Sequence, residues 1–339
     1  MSFPQAQDKP RPKAAGKITP HLWFDKEAVE AAEFYTSIFP DSKTEFTTKI
    51  RNTPSGEVDI VEFQIMGHDF MAISAGPLFK INPSISATVN FDPSQAPSTS
   101  SGQAPSTSRG QAPSTSSGQA RKRIDEVWVK LSEGGKVLMP LDKYPFSERY
   151  GWIQDKYGFS WQLILTNPSG EPRPNIIPFL LFVRENAGKA EEATDFYLSV
   201  FKDSARGQLI RHPAGAEPEK EGTLMFTDFK LLGQWFAAMD SAHPGHTFQF
   251  NEAVSLMVKC EDQAEIDYYW EKLSADPKAE QCGWLKDKYG VSWQIVPAEM
   301  NEMMRKGSRE QIDRVTQAFL PMKKFDIAKL KEAFDRGSP

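Results

Sequence analysis

Asp155-Lys156-Tyr157-Gly158-Phe159-Ser160-Trp161-Gln162 returns as Asp287-Lys288-Tyr289-Gly290-Val291-Ser292-Trp293-Gln294. The two octapeptides differ only at Phe159 and Val291, and a Gly-Trp pair precedes each, Gly151-Trp152 and Gly283-Trp284. Such a repeat marks an internal duplication, which decides the architecture before composition is considered. Asp and Gly are placed for a tight turn in which Gly tolerates positive φ. Each octapeptide ends on an amide, not a carboxylate.

Working outward, further segments pair in order. Ile18-Thr19-Pro20-His21-Leu22-Trp23-Phe24 matches Ile176-Ile177-Pro178-Phe179-Leu180-Leu181-Phe182. Ala28, Ala31, Phe34, Tyr35, Ile38 and Phe39 match Ala190, Ala193, Phe196, Tyr197, Val200 and Phe201. Met66 to Phe70 corresponds to Leu232 to Phe236, and Phe79 to Asp92 corresponds to Phe248 to Glu261.

Periodicity assigns the elements. Ala28, Ala31, Tyr35, Ile38 and Phe39 share one helix face, with Asp25 as the expected N-cap. Short alternating stretches at 58–65, 70–74, 86–91 and 159–165 read as strands. A second helix is expected over 120–131, and over 263–273 in the other copy. The result is a doubled βαβββ unit in each copy and an α+β fold of curved, mixed sheets around a cleft.

The chain has 339 residues, enough for two domains of ordinary size. The domains are expected at 17–168 and 174–298, after a disordered tail at 1–16 and before a helical tail at 299–339. Three near-identical octads of Ala, Pro, Ser, Thr, Gly and Gln run from Ala96 to Gln119. They cannot bury apolar area, so a disordered insert is expected over 94–120. Forty Lys and Arg against 45 Asp and Glu give a net charge of −5, without the basic stripe that a nucleic-acid binder needs. No stretch reaches transmembrane length. Two cysteines, Cys260 and Cys282, support no disulfide framework, which fits a reducing, cytoplasmic setting.

Strand alternation separates core from cleft. In 18–24, His21 and Trp23 face away from Leu22 and Phe24; in the last strand, Ser160 and Gln162 face away from Trp161. Trp161 is then core. One cleft is expected to be lined by His21, Trp23, Ser86, Ser160 and Gln162 of the first copy. The other is expected from Phe179, Trp235, Ser255, Ser292 and Gln294 of the second.

These motifs carry a resemblance. The doubled units, the Phe-Tyr near the end of the first helix and the terminal Asp-x-x-Gly-x-x-x-Gln resemble the vicinal oxygen chelate (glyoxalase/bleomycin-resistance) superfamily. Within it the chain is most similar to the PhnB-like branch, the 3-demethylubiquinone-9 3-methyltransferase domain family, in two tandem glyoxalase-like copies. The helical stretch with Met322-Lys323-Lys324-Phe325-Asp326-Ile327 is similar to the tail of that branch. The resemblance implies a divalent metal held by His or Gln, His, and Glu. At the matching positions this chain has His21, Ser86 and Gln162, then Phe179, Ser255 and Gln294, with no anionic oxygen ligand. No metal and no cofactor are therefore expected. The family name also implies methyl transfer, but no glycine-rich strand-to-helix loop for a nucleoside cofactor occurs.

The sequence thus reads as a metal-independent, glyoxalase-fold protein that binds or transforms a small molecule, with His21 the candidate general base. Two alternatives stand beside it: a non-catalytic, ligand-sequestering module of resistance type, and a divalent-metal-dependent lyase or dioxygenase. Single-copy relatives pair as dimers, so two copies in one chain are expected to form an internal pseudo-dimer.

Overall fold

The computed structural model describes residues 16–94, 113–167 and 173–336. The first copy runs β1 (Ile18–Phe24), α1 (Ala28–Ile38), β2 (Lys43–Thr53), β3 (Gly56–Ile65), β4 (His68–Ser74) and β5 (Ile85–Phe91). It continues through α2 (Pro113–Ser132), β6 (Lys136–Tyr144), β7 (Ser147–Gln154) and β8 (Ser160–Leu165). The second copy repeats the order with one strand fewer, since only two strands, not the expected three, follow its second helix. It opens with β9 (Ile176–Val183), α3 (Ala190–Val200), β10 (Ala205–Arg211), β11 (Leu224–Leu231) and β12 (Gln234–Ser241). Then come β13 (Val254–Cys260), α4 (Gln263–Leu273), β14 (Trp284–Lys286) and β15 (Ser292–Pro297). Three helices close the described chain: α5 (Ala298–Lys306), α6 (Arg309–Phe319) and α7 (Ile327–Asp335).

Several local expectations meet the structure. Gly158 and Gly290 hold φ of 92° and 83° in the octapeptide turns. Helix α1 is entered from Glu27, not Asp25, and has no side-chain cap; Ser74 Oγ instead accepts from the Ala28 amide at 3.1 Å. Helix α2 starts at Pro113, so part of the last octad is helical, against the expectation of disorder across 94–120. Proline is tolerated at a helix start, because its missing N–H would have no partner there. Residues 1–15 and 95–112 lie outside the described residues.

The sheets do not follow the copies. A seven-stranded sheet has the order β14-β15-β13-β1-β4-β3-β2, and an eight-stranded sheet the order β10-β11-β12-β9-β5-β8-β7-β6. Each therefore joins the first half of one copy to the second half of the other. The joints are antiparallel and central: β1 lies on β13 with His21 opposite Ser255, and β5 lies on β9 with Ser86 opposite Phe179. Pro20 and Pro178 sit at equal register in these central strands. Both precede the first residue of the parallel ladder to β4 or β12, so the missing N–H breaks no bond there.

The aromatic packing around the octapeptide tryptophans, in contrast, stays within each copy. Trp161 of the eight-stranded sheet is fully buried against Tyr35 of α1, at 5.1 Å between ring centroids, and against Phe39 and Phe70. Trp293 repeats this with Tyr197 at 5.5 Å and Phe201 at 5.2 Å. Each octapeptide Asp anchors its Trp: Asp155 Oδ2 accepts from Trp161 Nε1 at 2.8 Å, and Asp287 Oδ2 from Trp293 Nε1 at 2.9 Å. Helix-covered faces thus unite a copy with itself, while open faces unite different copies.

Candidate functional site

The exchange regroups the candidate residues. His21, Trp23, Ser255, Ser292 and Gln294 belong to the seven-stranded sheet; Ser86, Ser160, Gln162, Phe179 and Trp235 belong to the other. The sequence-based clefts, His21 with Ser86 and Gln162, and Phe179 with Ser255 and Gln294, do not exist. The physical reason is that β1 forms its lateral pairing with β13 rather than with β5.

In the seven-stranded sheet a cavity of about 500 Å³ opens over the polar residues. Trp23, Phe79, Trp284, Met71 and Ile73 line it from the sheet side, and Met300, Met304, Phe319, Leu320 and Phe325 from the C-terminal helices. That roof is held by the backbone: the Cys282 and Gly283 amides donate to Met322 and Lys323 carbonyl oxygens, each at 2.7 Å. Gly283, at φ 81°, is required here because a Cβ would meet the Phe325 ring at 2.4 Å. The role of the C-terminal segment as a roof is not visible in its helical periodicity.

On the floor, Gln294 Nε2 donates to Ser255 Oγ at 2.9 Å. The His21 ring meets Trp284 edge-on, 5.4 Å between centroids, and Trp284 meets Trp23 at 6.1 Å. Trp23 Nε1 is fixed by the Gly76 carbonyl at 2.8 Å. His21 is 3 % exposed, and its Nδ1 has no protein partner. Desolvation pulls its pKa down to about 3, so the ring is neutral at physiological pH and a weak base.

The eight-stranded sheet repeats the amide pair, with Gln162 Nε2 donating to Ser86 Oγ at 2.9 Å. Phe179 stands where His21 stands in the sister cleft, in a small apolar cluster with Ile177, Ala237 and Trp235. Trp235 is covered by the Arg173 guanidinium at 3.8 Å from the ring centroid. Ser160 and Ser292 are buried in equivalent places, each with an unpartnered hydroxyl. His68 is half-buried at the start of β4 and lies edge-on to Phe70 at 5.4 Å.

A divalent metal does not fit either cleft. On its floor one cleft offers His21, a serine and an amide whose nitrogen is already engaged, and its carboxylates Glu62 and Glu252 are held by Arg305 and Lys286; the other has Phe179 in place of the imidazole. Among the described residues no group of three or more His, Cys, Asp and Glu could hold a metal ion. No described helix is long and apolar enough to cross a membrane.

The imidazole gives the first prediction. The fold depresses the pKa of His21 below the free value of 6.5, so neutral imidazole is favoured in the folded chain. The stability it confers is complete above pH 6.5 and is lost as pH falls toward 3. Between pH 7.5 and 5, urea unfolding should show a loss of about 2 kcal/mol from this ring alone. His21→Phe, which copies the residue at Phe179, should remove that increment; an unchanged pH slope would refute it.

Repeated βαβ-type units, two mixed sheets shared between the copies and a cavity over one of them are those of the vicinal oxygen chelate class. The chain belongs to the 3-demethylubiquinone-9 3-methyltransferase family, whose sequence profile matches residues 16–101, 100–164 and 174–296. It is similar to a PhnB protein from Bacillus cereus, with 32% identity over 44% of this chain and 100% of that one, at a TM-score of 0.34. Glyoxalase I from Zea mays aligns at 10% identity over 84% of this chain and 96% of that one, with a TM-score of 0.49. A fosfomycin resistance protein from Listeria monocytogenes aligns at 14% identity over 43% of this chain and 90% of that one, with a TM-score of 0.27. No curated protein sequence matches the chain.

Proposed function

We propose that this chain binds a small, largely apolar molecule carrying an aromatic ring or a carbonyl, without a divalent metal, in the cleft of the seven-stranded sheet. The cavity of about 500 Å³ carries the reading, because it joins an aromatic wall to a floor with two polar groups, His21 and Gln294. Sites of this size, apolar with a few fixed polar groups, suit small organic ligands. Methyl transfer is no part of the reading, since neither copy supplies a glycine-rich loop for a methyl donor.

Binding without turnover is the second reading, and the low basicity of His21 favours it. A general base works best with a pKa near the working pH, and about 3 is far from it. Trp23 and Trp284 line the cavity and report on its filling. Titration with a panel of quinones and aromatic carbonyls should quench their fluorescence saturably, and Met304→Glu, which places a charge in the roof, should weaken the response at least tenfold. Absence of any saturable quenching would sink the reading. Elemental analysis of untagged protein should find no stoichiometric metal; one equivalent of Zn, Ni, Mn or Fe would overturn the metal-free part.

A further inference from the structure

The sister cleft contains its own occupant. Tyr150 precedes Gly151-Trp152, and its phenol hydroxyl donates to Gln162 Oε1 at 2.9 Å, with the ring 7 % exposed. Gln162 is thereby engaged at both ends, by Ser86 at nitrogen and by a phenol at oxygen. In the other copy the residue before Gly283-Trp284 is Cys282, held at φ 51° with its thiol directed to the Phe319 and Leu320 carbonyl oxygens at 3.7 and 3.5 Å. The amide pair is otherwise the same, and Gln294 is 5 % exposed. No described protein donor reaches Gln294 Oε1, and the cavity opens beside it.

We infer that the seven-stranded cleft takes a hydroxylated aromatic, a phenol or hydroquinone-type molecule whose hydroxyl donates to Gln294 Oε1, in the manner of the Tyr150 phenol on Gln162. This deepens the reading given above and rests on it. The walls agree: the ring would lie among Trp23, Phe79 and Trp284, and Met304 would close over it. The carboxylates at the cavity are engaged, Glu62 by Arg305 and Glu252 by Lys286 at 2.8 Å, so a neutral ligand is favoured over a cation. Gln294 is then the specificity-determining residue, and each chain has one such site, because Tyr150 fills the other.

Calorimetric titration with 2-naphthol, 2-methoxynaphthalene and naphthalene tests it. Naphthol should bind about tenfold more tightly than its methyl ether, about 1.4 kcal/mol, at one equivalent per chain. Gln294→Leu should abolish that preference while the two hydroxyl-free compounds still bind. Equal affinity for naphthol and its ether, or a preference for the ether, would overturn the assignment but leave the apolar site intact. Failure of all three to bind would remove both. Independently, Tyr150→Ala should destabilise the fold, and p-cresol should restore more of the loss than toluene; equal rescue would count against the phenol as the recognised group.

Discussion

Asp287→Ala should cost about 4 kcal/mol of folding stability, a large part of the total for a protein of ordinary stability. Asp287 is 3 % exposed and accepts four hydrogen bonds. Oδ1 takes the Tyr289 and Val291 amides at 2.9 and 3.0 Å; Oδ2 takes Trp293 Nε1 at 2.9 Å and the Tyr197 hydroxyl at 2.8 Å. Alanine leaves all four donors without that acceptor, and a buried donor without a partner costs about 1–3 kcal/mol. Asp287→Asn keeps the amide acceptor but turns an NH2 group onto the indole and phenol, so roughly half the loss is expected. The measurement belongs at pH 7.5. Desolvation raises the folded pKa to about 6, so this group favours the fold most below pH 4, and the contribution declines as pH rises through 6. Above that range it is constant. Urea unfolding that shows less than about 1 kcal/mol of loss for the alanine variant would contradict the anchoring role.

The same octapeptide explains which parts of the structure were legible. Its Trp and Asp point into a core made by one copy, so alternation along 159–165 places Trp161 in the core, where the structure sets it against Tyr35. Alternation also sets His21, Gln162 and Gln294 on the face away from the core; His21 and Gln294 line the cavity of the seven-stranded sheet, and Gln162 makes the matching amide contact in the other. What alternation does not encode is which strand lies alongside. Ser86 and Ser255 are the same residue at the same point of the repeat, so either satisfies the face opposite His21, and only the three-dimensional pairing selects Ser255. The asymmetry of the two clefts was present in the text as Tyr150 against Cys282, yet it acquires meaning only when the phenol is seen on Gln162. The roof was hidden for another reason. Helical periodicity shows that 298–319 has an apolar face but not what that face covers.

The exchange of strands makes a strong demand on either copy produced alone. Residues 16–167 would keep the Trp161 core but expose β1 and β5, two strands that are central and fully paired in the intact chain. Their side chains are almost wholly buried, so two long apolar edges would face water. A second molecule of the fragment offers the matching edges, because β5 and β13 are the same element of the repeat, as are β1 and β9. The isolated first copy should therefore run as a dimer in light scattering or aggregate, while the full chain runs as a monomer with both joints satisfied internally. Mixing the fragment with residues 173–336 during refolding should yield heterodimers that regain the Trp284-lined cavity and its ligand-dependent fluorescence, since that cavity needs β1 from one copy and β13 to β15 from the other. The fragment of the first copy has His21 but no Gln294, and that of the second has Gln294 but no His21. Neither homodimer can thus assemble the His21–Ser255–Gln294 floor. A fragment that is a stable monomer, or a second-copy fragment that binds 2-naphthol as the whole chain does, would contradict the shared-sheet origin of the site.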